Sequence, residues 1–259
     1  MKRRASSLWR FVALLAVCTL ALQMAFAARI AVMRFVDPQS TSFQRSEIWR
    51  LLVEKQIIEW SQRWVAGTLI SPNLKRAVIA SEDAGFVDHS GVEWDALEKA
   101  WERNQKAEAR VAKINERVER QAARPNAAPP PRPLVEAKVV GGSTITQQLA
   151  KNLFLAGERN LPRKAQEFII TFMLEAILSK GRVLDIYLNN VEWGEGLFGA
   201  EAAARHYFHV SAAQLSPIAA ARLAVMLPAP KRFEKRPDSP YVASRAATVA
   251  ARMGAVELP

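Results

Sequence analysis

Apolar positions fall along this chain in several rhythms, and each predicts a different kind of element. From Phe11 to Ala28, "FVALLAVCTLALQMAFAA", they are nearly continuous, with one Gln and no charge. A run of about 18 such residues is at the lower end of what spans a bilayer. Between Glu47 and Ala66, Ile48, Leu51, Leu52, Ile58 and Trp64 recur at spacings near 3.6, which predicts an amphipathic helix over 47–66. From Arg163 to Lys180 the chain is apolar nearly all round, which predicts a central buried helix. Ser71-Pro72 reads as a cap followed by proline at the first helical position, opening a helix that continues through "KRAVIASED". A stretch without Gly or Pro runs from Trp94 to about Ala123, with a thin apolar stripe of Ala107, Val111, Ile114 and Val118. "RPNAAPPPRPL", Arg124 to Leu134, cannot stay helical and reads as a linker. Gly141-Gly142 then makes a turn, and Thr144 with Gln147 fits a capping box opening the next helix. "VLDIYLNN", "LFGAEAAARHYF" and the alanine-rich "PIAAARLAVML" complete a mainly α pattern. Strand alternation is nearly absent, and there is no internal repeat.

The flanks of the first apolar run set the compartment. Lys2, Arg3, Arg4 and Arg10 precede it, which keeps the N-terminus cytoplasmic and sends the rest of the chain across. Ala25-Phe26-Ala27 also fits a signal-peptidase site, but the apolar run exceeds the usual signal core, favouring an uncleaved anchor. The charge is +11, with 36 Lys and Arg against 25 Asp and Glu. Such a balance suits polyanionic partners: nucleic acid, an anionic membrane or a phosphorylated substrate. No zinc finger, RNA-binding signature or basic zipper supports the nucleic-acid option. Cys18 is the only cysteine, so an intrachain disulfide and a cysteine-rich metal site are excluded.

One stretch breaks the core pattern. "IASEDAGFVDHSG", Ile79 to Gly91, sets Glu82, Asp83 and Asp88 directly after a run that reads as buried. Taken alone, Glu82-Asp83 reads equally as a solvent-facing acid pair at a helix end. The surroundings narrow that choice. Glu82-Asp83 with Phe86, His89 and Gly91 is followed by Gly142-Ser143-Thr144-Ile145-Thr146-Gln147-Gln148 and Lys151-Asn152. Then come Arg163-Lys164 with Glu167; Lys180, Leu184, Tyr187, Leu188 and Asn189; and the alanine-rich helix ending at Leu227-Pro228. Five motifs in this order resemble the peptidoglycan glycosyltransferases, on their monofunctional biosynthetic branch. The resemblance runs over about 69–237, with an interruption between Asn104 and Val140. Asp185 and Glu93 exchange one acid for the other at family positions.

The resemblance implies an all-α, lysozyme-like head with a small membrane-proximal jaw, behind a single transmembrane helix. The corresponding division is a cytoplasmic tail at 1–10, an anchor at 11–28, a jaw segment at 29–68, the glycosyltransferase domain at 69–237 and a helical tail at 238–259. Within the domain, about 105–138 reads as an accessory insertion. The implied reaction polymerises lipid II into β-1,4-linked glycan on the periplasmic face of the inner membrane, releasing undecaprenyl pyrophosphate. The implied partners are lipid II, the growing strand, the bilayer and other cell-wall or division proteins.

Such a displacement needs a base for the attacking hydroxyl and cations for the leaving pyrophosphate. The resemblance gives the base to Glu82 and places Glu167 near the pyrophosphate, as the second catalytic carboxylate. Asp83, Ser143, Thr144, Gln148, Lys151, Arg159, Arg163 and Lys164 are the expected substrate-binding set, with Lys151 and Arg159 matching pyrophosphate positions. Phe86, His89 and Gly91 are expected to shape the loop. On the central helix Glu167, Thr171 and Glu175 form a polar stripe, and Glu167 also suits a salt bridge to Arg163 or Lys164. No dedicated cofactor or metal cluster is legible; a Mg or Mn ion on the substrate pyrophosphate is compatible with the chemistry. Neither Ser-x-x-Lys nor Lys-Thr-Gly occurs, so no penicillin-binding transpeptidase is expected. Two rival readings remain: a lytic transglycosylase that cuts glycan, and a non-catalytic membrane scaffold.

Overall fold

The computed structural model describes residues 2–56, 58–122, 142–155 and 160–259. Gly141, Arg159, the proline-rich 124–134 and the part of the expected insertion from 123 to 138 lie outside the described residues. The fold is all-α and divides into two compact units, Met1–Gly91 with Thr144–Pro259, and Val92–Ser143.

The first unit begins with α1, Lys2–Val32, whose part Leu8–Val32 has a mean hydropathy of 2.2. This is longer than the run from Phe11 to Ala28, because Leu8 and Trp9 precede it and Ile30, Ala31 and Val32 follow it. At 1.5 Å per residue it can cross a bilayer. Near its end α1 meets α6, Leu161–Ile177. Gln23 and Gln166 exchange reciprocal amide hydrogen bonds of 2.8 and 2.9 Å. Phe26 packs edge-on against Phe154, and the Arg29 guanidinium lies 5.1 Å from that ring.

The helix expected over 47–66 ends early. Thr41 and Gln44 form a capping box for α2, Ser42–Arg50, and a single π-helical turn, Leu51–Lys55, follows. Gln56 then adopts a left-handed φ of 56°, which stops the helix. The remainder is extended and is held by distant partners. β1, Ser61–Gln62, pairs in parallel with β3, Leu197–Phe198, and β2, Glu192–Gly194, covers the other edge of β3. Trp60 stacks on Phe198 at 4.6 Å. Asn189 receives the Val65 N–H at 2.9 Å and donates to the Val65 carbonyl at 3.0 Å. Non-local pairing therefore overrides the local helical rhythm, and the expected jaw segment 29–68 joins the same compact unit as the motif helices.

The core of this unit is built where α3, Pro72–Glu82, packs on α9, Pro217–Met226, and α11, Pro240–Arg252. Alanines on α9 let the helices approach closely, and Val242, Ala246 and Val249 of α11 are buried, so the C-terminal stretch is part of the core. α5, Ile145–Phe154, packs on α6 and on α7, Lys180–Asn190. α8, Ala200–Phe208, and the short α10, Pro230–Phe233, flank the sheet.

The helix expected to be buried on every side is α6, and it is not. Leu161, Ile169 and Phe172 are 86%, 42% and 45% exposed, and Ala165 and Ala176 continue the same open stripe. An all-apolar helix satisfies either a protein core or a lipid neighbour, and α6 stands beside the membrane helix.

The second unit is built on α4, Trp94–Ala122, which carries the stretch predicted from Trp94 to about Ala123. Gly142 lies against α4 so closely that a Cβ there would come within 2.9 Å of Ala100 Cβ. Only glycine fits that approach.

Candidate active site

Glu82 is the last residue of α3. Ser71 caps this helix, accepting from the Asn73 N–H at 3.2 Å, and Leu74, Ala77, Val78 and Ile79 bury its inner face. At Asp83 the backbone turns out of the helix, and the chain to Gly91 forms a tight loop. Phe86 is fully buried and anchors the loop, with the Lys180 ammonium 4.5 Å from its ring.

Two of the loop's residues are committed to holding it. Asp83 has a fully buried side chain with both oxygens engaged: Oδ1 with His89 Nε2 at 2.8 Å, Oδ2 with the Ile145 N–H at 2.9 Å. His89 Nδ1 accepts from the Gly91 N–H at 3.0 Å, so Nε2 carries the proton that reaches Asp83. Thr144, capping α5 with Gln147 as expected, also donates to the Gly91 carbonyl at 2.6 Å. The first motif is thereby laced to the helix of the second. Asp83 and Thr144, both expected among the substrate-binding residues, make this lacing. Ser143, half-buried, belongs to the other unit.

The lacing aims α5 at Glu82. Gln148 Nε2 donates to Glu82 Oε2 at 2.9 Å, and Tyr187 on α7 donates its hydroxyl to Gln148 Oε1 at 2.9 Å. Burial pushes the Glu82 carboxyl above its ordinary range; the Gln148 bond opposes that and the Asp83 charge adds to it. Burial, with the charges of Glu82 and Asp83, raises the Tyr187 phenol well above its ordinary value. Lys151, exposed, lies one turn beyond Gln148 on the same side of α5.

The polar stripe of α6 is occupied along its length. Asn160 caps the helix through the Arg163 N–H at 2.9 Å. Glu167 is buried and paired with Arg163 at 3.1 Å and with Lys164. Arg163 Nε is buried without a hydrogen-bond partner among the described residues. Two turns on, Glu175 accepts from Thr146 at 2.5 Å and from Lys180 at 2.9 Å. Gly91 rests on this stripe with φ at +90°; a Cβ would meet Thr171 Cγ2 at 2.7 Å and Glu175 Cγ at 2.8 Å.

The structure thus brings Glu82, Asp83, Phe86, His89, Gly91, Thr144 and Gln148 into one constellation, with Glu167, Arg163 and Lys164 along α6. Sequence reasoning assigned no role to Tyr187, Thr146 or Lys180, although Tyr187 and Lys180 stand in the fourth motif. It also passed over a second charged network. There Glu47, buried, binds Arg50 at 2.6 Å and Lys231 at 2.5 Å, with Glu192 3.5 Å from Lys231. The Glu47/Arg50 spacing was a legible helical pair; Lys231 and Glu192 were not. A cleft of about 570 Å³, lined by Leu51, Lys55, Glu59, Glu195, Leu197, His206 and Glu234, borders that network and none of the motif residues.

Among known proteins, the Transglycosylase family matches residues 52–112 and 133–254. It begins before 69, extends past 237 and lapses only over 113–132, inside the stretch read as an insertion. A "Biosynthetic peptidoglycan transglycosylase" of Paraburkholderia xenovorans is 47% identical over 253 residues, 97% of this chain and 94% of that one. Proteins of the same name from Paraburkholderia phytofirmans and Burkholderia thailandensis are 48% and 49% identical. These alignments span 95% and 93% of this chain, and 91% and 83% of the relatives. With a family match across most of its length and relatives of this identity over nearly all of it, the chain belongs to the transglycosylase family.

Proposed function

We infer that this membrane-anchored protein is a peptidoglycan glycosyltransferase that polymerises lipid II into β-1,4-linked glycan strands. The observation carrying the mechanism is the half-buried, hydrogen-bonded Glu82 at the end of α3, whose carboxyl is pushed up chiefly by desolvation. Its raised pKa brings it toward the range where a carboxylate both accepts a proton readily and is still ionised near neutrality. The attacking sugar hydroxyl passes its proton to Glu82 as its oxygen bonds to the donor's anomeric carbon. The bond from that carbon to the pyrophosphate oxygen breaks, and the electron pair leaves with undecaprenyl pyrophosphate. One displacement inverts the centre, turning an α-linked donor into a β product.

The charge arriving on the pyrophosphate meets cations at the start of α6. Arg163 and Lys164 stand in its first turn, where the helix dipole is already positive and a cation is otherwise disfavoured. Glu167 offsets that and orients both side chains, and the open Nε of Arg163 supports an incoming anion as their second partner. Lys151 adds a point charge from α5, and Arg159 is assigned the same role by its position in the motif. A divalent ion would enter with the pyrophosphate, since Asp83 and His89 direct their ligand atoms at each other and at backbone N–H groups. The active unit stands on the periplasmic side of the inner membrane, following the basic residues before α1.

Glu82→Gln keeps the size and removes the basicity. With full-length protein and labelled lipid II, polymerisation should fall by about 10²–10⁴-fold. Near-normal strand formation by this variant would refute the assignment. Cleavage of preformed glycan without lipid II polymerisation would replace the reading with the lytic one.

A further inference from the structure

Gln148 faces Glu82 with one end of its amide and Tyr187 with the other. An amide can flip, and here the two orientations are not equivalent. With the NH2 group toward Glu82 it donates to an ionised carboxylate. Flipped, its oxygen would face the carboxylate oxygens, an arrangement tolerable only when Glu82 carries a proton to donate. The choice between the two orientations is therefore coupled to the protonation of the base.

Tyr187 biases that choice. Tyr187 is 1% exposed, and its hydroxyl reaches the amide oxygen. A phenol kept protonated by burial and by the nearby charges of Glu82 and Asp83 remains a donor throughout the neutral range. A donor in that position holds the amide oxygen and turns the NH2 group toward Glu82. We propose that Tyr187, acting through the Gln148 amide, is a positioning residue that keeps Glu82 in its proton-accepting state with Oε2 engaged and Oε1 presented to the acceptor hydroxyl. The proposal rests on Glu82 being the base.

The groups around Glu82 leave this relay as the adjustable part of its environment. Asp83, next in the chain, is fixed by His89 and the Ile145 N–H. The buried faces of α9 and α11, which pack against α3, carry alanine and other apolar side chains and no titratable group. On α5 the facing group is Gln148, and on α7 it is Tyr187.

The test is the pH profile of kcat/KM for labelled lipid II, measured on the full-length protein. Tyr187→Phe removes one oxygen and keeps the ring. The acid limb, where Glu82 takes up its proton, should move to higher pH by about half a unit to one unit. Below the limb the variant should run about three- to tenfold slower than the parent, and the gap should narrow as pH rises. Gln148→Leu, which removes the donor itself, should move the limb by about one unit or more, and Tyr187→Phe should add nothing in its presence. A Tyr187→Phe protein slowed equally at every pH, or a double variant whose shifts add, would overturn the relay and leave Tyr187 a packing residue. Should Tyr187→Phe fail to fold, an unmoved limb in Gln148→Leu would overturn it equally. Failure of the underlying reading is a separate outcome, because only that failure leaves Glu82→Gln active.

Discussion

Replacing Asp83 with Asn changes almost no volume, yet it places one acceptor where two donors converge. Oδ1 meets the His89 Nε2–H and Oδ2 meets the Ile145 N–H, in a side chain shielded from water. An amide accepts on one atom only, and its NH2 group must then face the other donor. His89 does not relieve this by changing tautomer. Its Nδ1 would then carry the hydrogen and face the Gly91 N–H, moving the donor clash by one residue. The variant therefore loses one hydrogen bond to a charged acceptor, about 1.5–3 kcal/mol, and leaves a buried donor unpaired, about 1–3 kcal/mol. A total of about 2.5–6 kcal/mol is a large part of an ordinary domain's stability. It corresponds to a fall in Tm of about 5–24 °C. Thermal unfolding followed by circular dichroism in detergent measures it. The loop and α5 also lose their mutual lock, so lipid II polymerisation should fall at temperatures where the variant is still folded. A Tm within about 2 °C of the parent would refute the pairing derived for Asp83 and His89.

Glu192 gives a pH dependence of opposite sign to the usual carboxylate. Burial chiefly pushes it up to about 7 from an ordinary 4.5, so the fold binds its proton more tightly than the unfolded chain does, and stability falls as pH rises from about 4.5 through 7. Glu192→Gln should be more stable than the parent at pH 8.5 by up to about 3 kcal/mol, read as a higher Tm, with little gain at pH 4.5; a difference flat with pH would refute this. Gly91→Ala combines a φ of +90° with contacts of 2.7 and 2.8 Å on Thr171 and Glu175. It should cost about 2–4 kcal/mol by denaturant titration, and a loss under about 0.5 kcal/mol would mean the loop moves freely off α6. Replacing 113–132, where the family match lapses, with a short Gly/Ser loop should leave polymerisation within a few-fold of the parent; a folded but inactive variant would make that stretch catalytic.

The parts legible from sequence were those written in local chemistry. Ser71-Pro72 and Thr144 with Gln147 are cap signals a few residues long, and both helices start where those signals place them. The stretch from Trp94 contains no breaker, and α4 runs its length. The two errors have separate causes. Ile58 and Trp64 fit a helical rhythm, but the backbone between them pairs with residues more than a hundred positions away. The apolar circumference of α6 was read as core because composition does not distinguish a protein neighbour from a lipid one. The motifs named most of the residues at Glu82, but not the direction each side chain faces. That Asp83 and Thr144 lace the loop, and that Tyr187 reaches Glu82 through Gln148, depends on contacts spanning 39 to 66 positions.

The amide pair between Gln23 and Gln166 makes the membrane helix more than a leash. The pair is part-buried where α1 meets α6, and each amide both donates to and accepts from the other. Turning α1 by one residue, about 100°, would point Gln23 away from α6 and leave both unpaired. The anchor is thus keyed in azimuth as well as in depth. A helix fixed in both senses gives the enzyme a front and a back within the plane of the membrane. The face of the unit that carries α6 would then keep one bearing about the axis of α1, set by two glutamines.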